Sequence, residues 1–462
     1  MNKPILASVL AAALAFSAAG TQTVLAKPAE QAYELNVTEK KILKKIDAEK
    51  IYSTIAELSR TPRVAGTESE WKAVQYVKKK FESYGYKTEI QPFTFEGYTA
   101  PSKIELTAGS ESFKPSSFTY TVGGKVSGEL VLAGLGKKEE LQNTDLSGKI
   151  ALIKRGEISF AEKVLNAAEK GAAAVIIYNN TTGALSGTLG AANDQYVPAV
   201  ALTKAEGEAL AAKISGGERL TADLNVEGGK VETRTSHNVI AVKKPAVSKN
   251  KKSDVIVIGS HHDSVQGAPG ANDDASGTAM TLEMARIYKN VPTDTELRFV
   301  TFGAEEVGLL GSYHYVENLT DDEISRTIAN FNLDMVGSKD AGDLVMLTLD
   351  GKPNLVTELA QSKSEKLNGE PTPFGQGGRS DHVPFAEAGI PAALFIHEPT
   401  EPWYHTPQDT IDKISKDKLQ DVAEIVSTSV YERARLDIKW PKIFNGPKVK
   451  AAPEMVQEQE LN

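Results

Sequence analysis

The spacing of apolar residues changes character three times along the chain, and each change predicts a different kind of structure. From Glu39 to Leu58 apolar positions recur at helical spacing until Thr61-Pro62-Arg63-Val64-Ala65-Gly66 breaks the pattern. A second helical pattern runs from Trp71 to Tyr84 and is closed by Gly85, after which Lys87 to Phe93 alternates like a strand. From about 100 to 230 the texture shifts to short β-branched runs between Gly-rich turns. Gly128 to Leu132, Lys149 to Ile153 and Ala173 to Tyr178 read as buried strands, with an amphipathic helix from Phe160 to Lys170 between the last two. Beyond Asn238 the pattern becomes strand, loop, helix, repeated to about 437. Val255 to Gly259, Leu297 to Phe302, Ala329 to Val336 and Ala392 to Ile396 are continuous apolar runs, as in strands buried on both faces of a largely parallel sheet. Helical patterns follow at Ser276 to Lys289, Val307 to Leu319 and Leu419 to Leu436.

The two ends differ from this body. Met1-Asn2-Lys3, an apolar Ala-rich run from Ile5 to Ala19, and Val24-Leu25-Ala26 form the three-part pattern of a secretory signal cleaved after Ala26. The run is too short for a membrane span, which takes about 20 apolar residues. The segment after Trp440 is rich in Pro and charge and reads as a tail.

Composition narrows the chemistry. The 462 residues favour two or three compact units. The absence of cysteine excludes disulfide scaffolds, iron–sulfur clusters, Cys-zinc sites and a cysteine nucleophile, so any metal must be held by His, Asp and Glu. A formal charge of −9 lacks the electrostatic footprint of a general nucleic-acid binder. The stretch from 101 to 230 contains no histidine, which directs attention to the last section.

There, each apolar strand runs into a polar loop at its carboxyl end, where open α/β sheets bind ligands. The Val255 strand leads to Ser260-His261-His262-Asp263-Ser264, then to Asn272-Asp273-Asp274 before a helix. The Leu297 strand leads to Gly303-Ala304-Glu305-Glu306, the next to Asp334, and the last to His397 and Tyr404-His405-Thr406. Each cluster alone has a plain explanation: Asp273-Asp274 could cap a helix, and Glu305-Glu306 could sit in a first turn. Asp334 ends an apolar strand, where an unpaired buried carboxylate is costly. Together, two imidazoles and three carboxylates are a donor set for two zinc ions without sulfur. His261-x-Asp263 adds a carboxylate able to orient a ligand imidazole.

These motifs identify a resemblance. His261-x-Asp263-Ser264, Gly270-Ala271-Asn272-Asp273-Asp274-x-Ser276-Gly277, Gly303-Ala304-Glu305-Glu306-x-Gly308, Asn332-Leu333-Asp334-Met335, Arg379-Ser380-Asp381-His382 and Tyr404-His405-Thr406-Pro407 occur in order. The chain resembles the secreted co-catalytic di-zinc aminopeptidases of the bacterial leucyl aminopeptidase type, in the subgroup with an inserted protease-associated domain. Residues 148–156 are similar to the core of that insert. The resemblance implies an α/β zinc-exopeptidase fold, a mixed, mostly parallel central sheet flanked by helices and interrupted by a β-rich α+β insert. The implied division is a signal peptide at 1–26, a discontinuous catalytic domain at 45–100 and 231–437, the protease-associated domain at 101–230, and a tail at 438–462.

The same resemblance assigns roles. Asp273 bridges two zinc ions, one also held by His261 and Asp334, the other by Glu306 and His405. Glu305 is the general base and acid, Asp263 orients His261, and Tyr404 hydrogen-bonds the developing oxyanion. Arg379, Ser380, Asp381 and His382 are expected at the substrate cleft, and the Asp273–Asp274 peptide is expected to be cis. His262 is expected on the solvent side or the pocket wall, and a structural calcium is a further expectation. The implied enzyme is a secreted, monomeric aminopeptidase acting on peptides with a free N-terminus. It releases large apolar residues such as leucine, with no nucleic-acid partner and no membrane association after signal cleavage. Two other readings stand beside it, a carboxypeptidase of the same fold and a metal-free receptor or binding module. The first would need an arginine cluster over the substrate carboxylate, and Arg379 is the one Arg within these motifs.

Overall fold

A computed structural model describes residues 35–246 and 253–436 of the chain. The signal segment at 1–26 and the tail at 438–462 lie outside the described residues. Within them, no helix is long and apolar enough to cross a membrane.

Two eight-stranded sheets organise the structure. In the larger, the strands run in the order Lys87–Thr99, Lys230–Lys243, Glu296–Phe302, Val255–His261, Thr327–Leu333, Ala392–Glu398, Asp343–Thr348, Phe374–Gln376. The four middle strands, Glu296–Phe302 through Ala392–Glu398, are mutually parallel, so their carboxyl ends share one edge. Lys87–Thr99, Lys230–Lys243 and Asp343–Thr348 each run antiparallel to a neighbour, which makes the sheet mixed.

The apolar runs are continuous because both faces are covered. Ile256 and Ile258 pack with the helices Ala48–Leu58, Ala275–Tyr288, Leu355–Asn368 and Lys416–Ala434. Val255 and Val257 pack on the other face, against Tyr315 and Val316 of Leu310–Glu317 and Phe385 of His382–Glu387. Each fully buried aliphatic side chain contributes roughly 1.5–3 kcal/mol, so the middle strands are fixed firmly before any site residue is considered.

The insert takes the place of a hairpin turn. Lys87–Thr99 and Lys230–Lys243 pair antiparallel from Lys87↔Val242 to Thr99↔Lys230, and the second sheet is built from the chain between those last two residues. It has its own buried clusters on either face, around Ile153, Val175 and Ile177 and around Leu152, Ile176 and Leu224.

Four sequence expectations are corrected. The helical stretch from Glu39 to Leu58 is two helices, Val37–Leu43 and Ala48–Leu58, because Asp47 caps a new start by accepting from the Lys50 N–H. The strand read as buried from Gly128 is Gly124–Leu132, and it is half-exposed up to Glu129. That part pairs antiparallel with Thr221–Glu227, and only Leu130 to Leu132 enters the parallel half beside Ile150 to Leu152. The strand expected to reach Val336 ends at Leu333. The helix expected from Val307 begins at Leu310, after a turn through Gly308 and Leu309 at positive φ.

Candidate metal centre

Five loops converge on the shared carboxyl edge. His261 is the last residue of Val255–His261, and its N–H donates to Asp274 Oδ2 at 3.2 Å. Asp274 also caps the helix Ala275–Tyr288 by accepting from Gly277 N–H at 2.7 Å, and accepts from Met335 N–H at 3.3 Å. One buried carboxylate therefore ties three site loops together. Its neighbour Asp273 is thrown into the opening, and the peptide between them is cis.

The donor atoms form two groups around Asp273. His261 Nε2 lies 3.2 Å from Asp273 Oδ1 and 3.5 Å from Asp334 Oδ1. His405 Nε2 lies 3.1 Å from the other oxygen, Asp273 Oδ2, and 2.9 Å from Glu306 Oε2. Glu305 Oε2 stands further off, 3.8 Å from His261 Nε2. These spacings suit a shared ion. Ligands about 2.0–2.1 Å from a tetrahedral zinc stand roughly 3.3 Å from one another. His261 Nε2, Glu306 Oε1 and Asp334 Oδ1 are buried without a hydrogen-bond partner, a costly state that coordination would relieve.

Electrostatics point the same way. Burial pushes the Glu305 carboxyl well above the usual range, reinforced by Asp381, Asp334 and Glu306 and opposed by His261. Burial and Asp273 raise Glu306 to about 7. Burial works against charge on His405, but Asp273 and Glu306 outweigh it and hold it at about 10. Carboxylates packed this densely cannot all ionise unless added cations balance them. Among the described residues, the groupings of His and acidic side chains able to hold a metal are His261–Asp273–Glu306 and His261–Glu305–Asp334, both in this site.

The surrounding residues fix these donors. Asp263 Oδ1 is 3.5 Å from His261 Nδ1 and accepts from Glu305 N–H at 3.1 Å, while Oδ2 accepts from Glu306 N–H at 3.3 Å. It thus joins the His261 loop to the Glu305 loop, a role its place in the sequence did not announce. Ser380 is buried and donates to Asp334 Oδ2 at 2.8 Å. Asp381 is buried, and burial lifts it to about 7 against the opposing pull of His261 and Ser312. His382 is buried against the Gly377 carbonyl at 2.8 Å, and Arg379 is exposed. Tyr404 is 45% exposed, with its ring stacked on His405 at 3.8 Å. His262 is corrected: it is fully buried, because it points to the opposite side from His261, with Nδ1 3.1 Å from Thr301 Oγ1.

Sequence reasoning missed several supports. Asp409 accepts from the N–H groups of Asn272 at 2.8 Å and Asp273 at 3.1 Å, holding Asp273 from behind. Asn272 in turn donates to Glu401 at 2.8 Å. Asp409 does follow His405 closely in sequence, the one signal that could have drawn attention to it.

A His and carboxylate donor set at the carboxyl edge of an open α/β sheet defines a metal-dependent hydrolase. The chain matches Peptidase family M28 over residues 238–430 and a PA domain over residues 126–210. Aminopeptidase YwaD of Bacillus subtilis (strain 168) is 40% identical over 443 residues, 92% of this chain and 93% of its own length. Leucine aminopeptidase 2 of Arthroderma otae is 32% identical over 390 residues, covering 77% and 76% respectively. Among solved structures, the aminopeptidase from Aneurinibacillus sp. strain AM-1 is 59% identical, with a TM-score of 0.73 over 86% of this chain and 96% of that one. BSAP, a zinc aminopeptidase from Bacillus subtilis, is 39% identical, with a TM-score of 0.67 over 84% and 96%. The chain belongs to peptidase family M28.

Proposed function

We propose that this chain is a zinc aminopeptidase that uses two ions bridged by Asp273. The observation that carries the reading is the division of Asp273, one oxygen toward His261 and Asp334, the other toward His405 and Glu306. Bound there, zinc supplies Lewis acidity toward the scissile carbonyl and the attacking water. Glu305 takes the proton of that water and passes it to the leaving amine, a task suited to a carboxyl that burial makes more basic than a free one. The negative face of Glu305 and Asp334 receives the protonated α-amine of the substrate and selects a free N-terminus. Asp263 holds the His261 ring from Nδ1. Tyr404 donates its hydroxyl to the carbonyl oxygen as charge builds on it.

Residues 45–100 and 231–437 form the catalytic domain in this reading. Residues 101–230 form the insert, which limits substrate size beside the cleft. Residues 1–26 direct secretion, and the mature chain acts as a monomer. Leucine or another large apolar residue is the preferred leaving N-terminal residue. No residues are assigned to calcium. Purified protein is expected to cleave leucyl-p-nitroanilide, to leave N-acetyl-leucyl-p-nitroanilide intact, and to lose activity to a chelator. Equal cleavage of the blocked substrate, or release of C-terminal residues instead, would overturn the reading.

A further inference from the structure

Arg63 lies in the segment between the helices Ala48–Leu58 and Glu68–Ser83, where the sequence shows only a break. It is buried to 2% exposure, and its guanidinium is committed to backbone carbonyls. Nε donates to His262 O at 2.7 Å, Nη1 to Pro269 O at 2.6 Å and Leu58 O at 3.1 Å, and Nη2 to Gly270 O at 2.9 Å. Its backbone is locked as well. The Arg63 N–H donates to Ser264 Oγ at 2.9 Å, and the Arg63 carbonyl accepts from Ser264 N–H at 3.2 Å.

These acceptors are not scattered. His262 lies between His261 and Asp263, and Pro269-Gly270 begins the loop that delivers Asp273. Gly270 has φ +63°, and a Cβ there would collide with Asp273 O and stand 2.7 Å from Ser264 Cβ and 2.9 Å from Arg63 Nη2, so the loop packs too closely on Asp273, Ser264 and the guanidinium to admit a side chain. A buried cation is costly unless nearby charge offsets it. Burial pulls the Arg63 pKa down, and Asp263, Asp274, Asp409 and Asp273 oppose that pull. Only a planar fork of five donors can serve acceptors in this arrangement, whereas an ammonium group has three donors at one point.

We propose that Arg63 is a positioning residue for the metal centre, holding the His261 loop and the Asp273 loop in register so that their donors meet before any ion arrives. The proposal rests on the two-ion reading above. The ion at His261 would take two of its donors, His261 and Asp273, from loops that Arg63 holds, and the ion at Glu306 and His405 only Asp273, so the loss of Arg63 weakens the first more than the second.

The test strips metal from the full-length protein and titrates it with zinc against a chromophoric chelator, then with cobalt(II) for its visible spectrum. Arg63→Lys is expected to weaken one of the two ions 10–100-fold, the range typical of residues behind a ligand. The other ion should stay within threefold, the cobalt bands of the weakened site should shift, and excess zinc should restore kcat with KM unchanged. A folded Arg63→Lys protein that binds both ions within twofold of the parent overturns the proposal. So does an equal loss at both ions with a lowered unfolding temperature, which marks a merely structural role. Should Arg63→Lys fail to fold, Ser264→Ala removes the hydroxyl that accepts from Arg63 N–H. It is expected to weaken the same ion severalfold, and unchanged affinity there refutes the proposal equally. A parent protein that binds fewer than two zinc ions would instead refute the two-ion reading.

Discussion

Glu305→Gln separates two roles that geometry alone leaves side by side. Glu305 can be grouped with His261 and Asp334 as a third metal donor, yet its nearest oxygen stands 3.8 Å from His261 Nε2 while the paired donors lie at 2.9–3.5 Å. Glutamine has the same shape and keeps the backbone N–H that donates to Asp263. The change removes the basic oxygen and little else. General acid–base catalysis is worth about 10²–10⁴-fold, or about 3–5 kcal/mol. The upper half of that range applies here. The site is nearly closed to water at Glu305, Asp273, Glu306 and Asp334 are taken up as ligands in the proposed reading, and Asp381 is buried. No second carboxylate is free to take over. Zinc per chain, measured by atomic emission on the same preparation used for leucyl-p-nitroanilide kinetics, should match the parent. Over the same samples kcat should fall about 10³–10⁴-fold with little change in KM. Activity within tenfold of the parent at full zinc content removes Glu305 from the role of base. Loss of zinc moves it into the ligand set.

Asp273→Asn should reduce zinc below two per chain by the same emission measurement, because the neutral amide offers one oxygen donor and no negative charge to share between two ions. Full occupancy would contradict bridging. Asp263→Asn should weaken zinc binding 10–100-fold in chelator competition, through the lost charge behind His261 and the loosened Glu305–Glu306 turn. An unchanged affinity would deny Asp263 that part. His397 is 2% exposed, and burial followed by the Lys418 charge depresses its pKa to about 4. The unfolded chain, titrating near 6.5, therefore binds the extra proton first, and stability is lost as pH falls from 6.5 toward 4. Between pH 7 and 5 the loss is about 2 kcal/mol, and His397→Gln should flatten that part of the urea-denaturation profile. Parallel profiles would show that His397 is not responsible.

What the sequence made legible follows a physical rule. Strands buried on both faces are largely apolar, so Val255 to Gly259 and Leu297 to Phe302, the latter interrupted by Arg298 and Thr301, stood out, and the polar residues that follow each lie at the sheet edge. That logic brings His261, Glu305, Glu306 and Asp334 together without coordinates. It fails where burial is one-sided or elements are short. Asp343–Thr348 alternates between buried and partly exposed positions, and Phe374–Gln376 is a three-residue edge strand, so neither left a strong pattern. The positions of Ser380, Asp381 and His382 depend on how the short helix His382–Glu387 packs beneath the sheet, which a motif does not encode.

The deeper gap concerns the supports. A metal donor must be one of a few residue types, so a search by residue type finds it. A support that binds backbone has no such signature in its partner, because every residue offers a carbonyl and nearly every one an N–H. Arg63 engages the carbonyls of His262, Pro269 and Gly270, Asp409 the N–H groups of Asn272 and Asp273, and Asp263 those of Glu305 and Glu306. In each case a charged side chain grips main chain within a few residues of a donor. The partners lie up to 207 positions away in sequence. Such contacts tolerate most substitutions on the partner side and few on the charged side. Substitution of Arg63, Asp263 or Asp409 should therefore disturb metal binding more than substitution of Pro269, which Arg63 holds through its carbonyl alone.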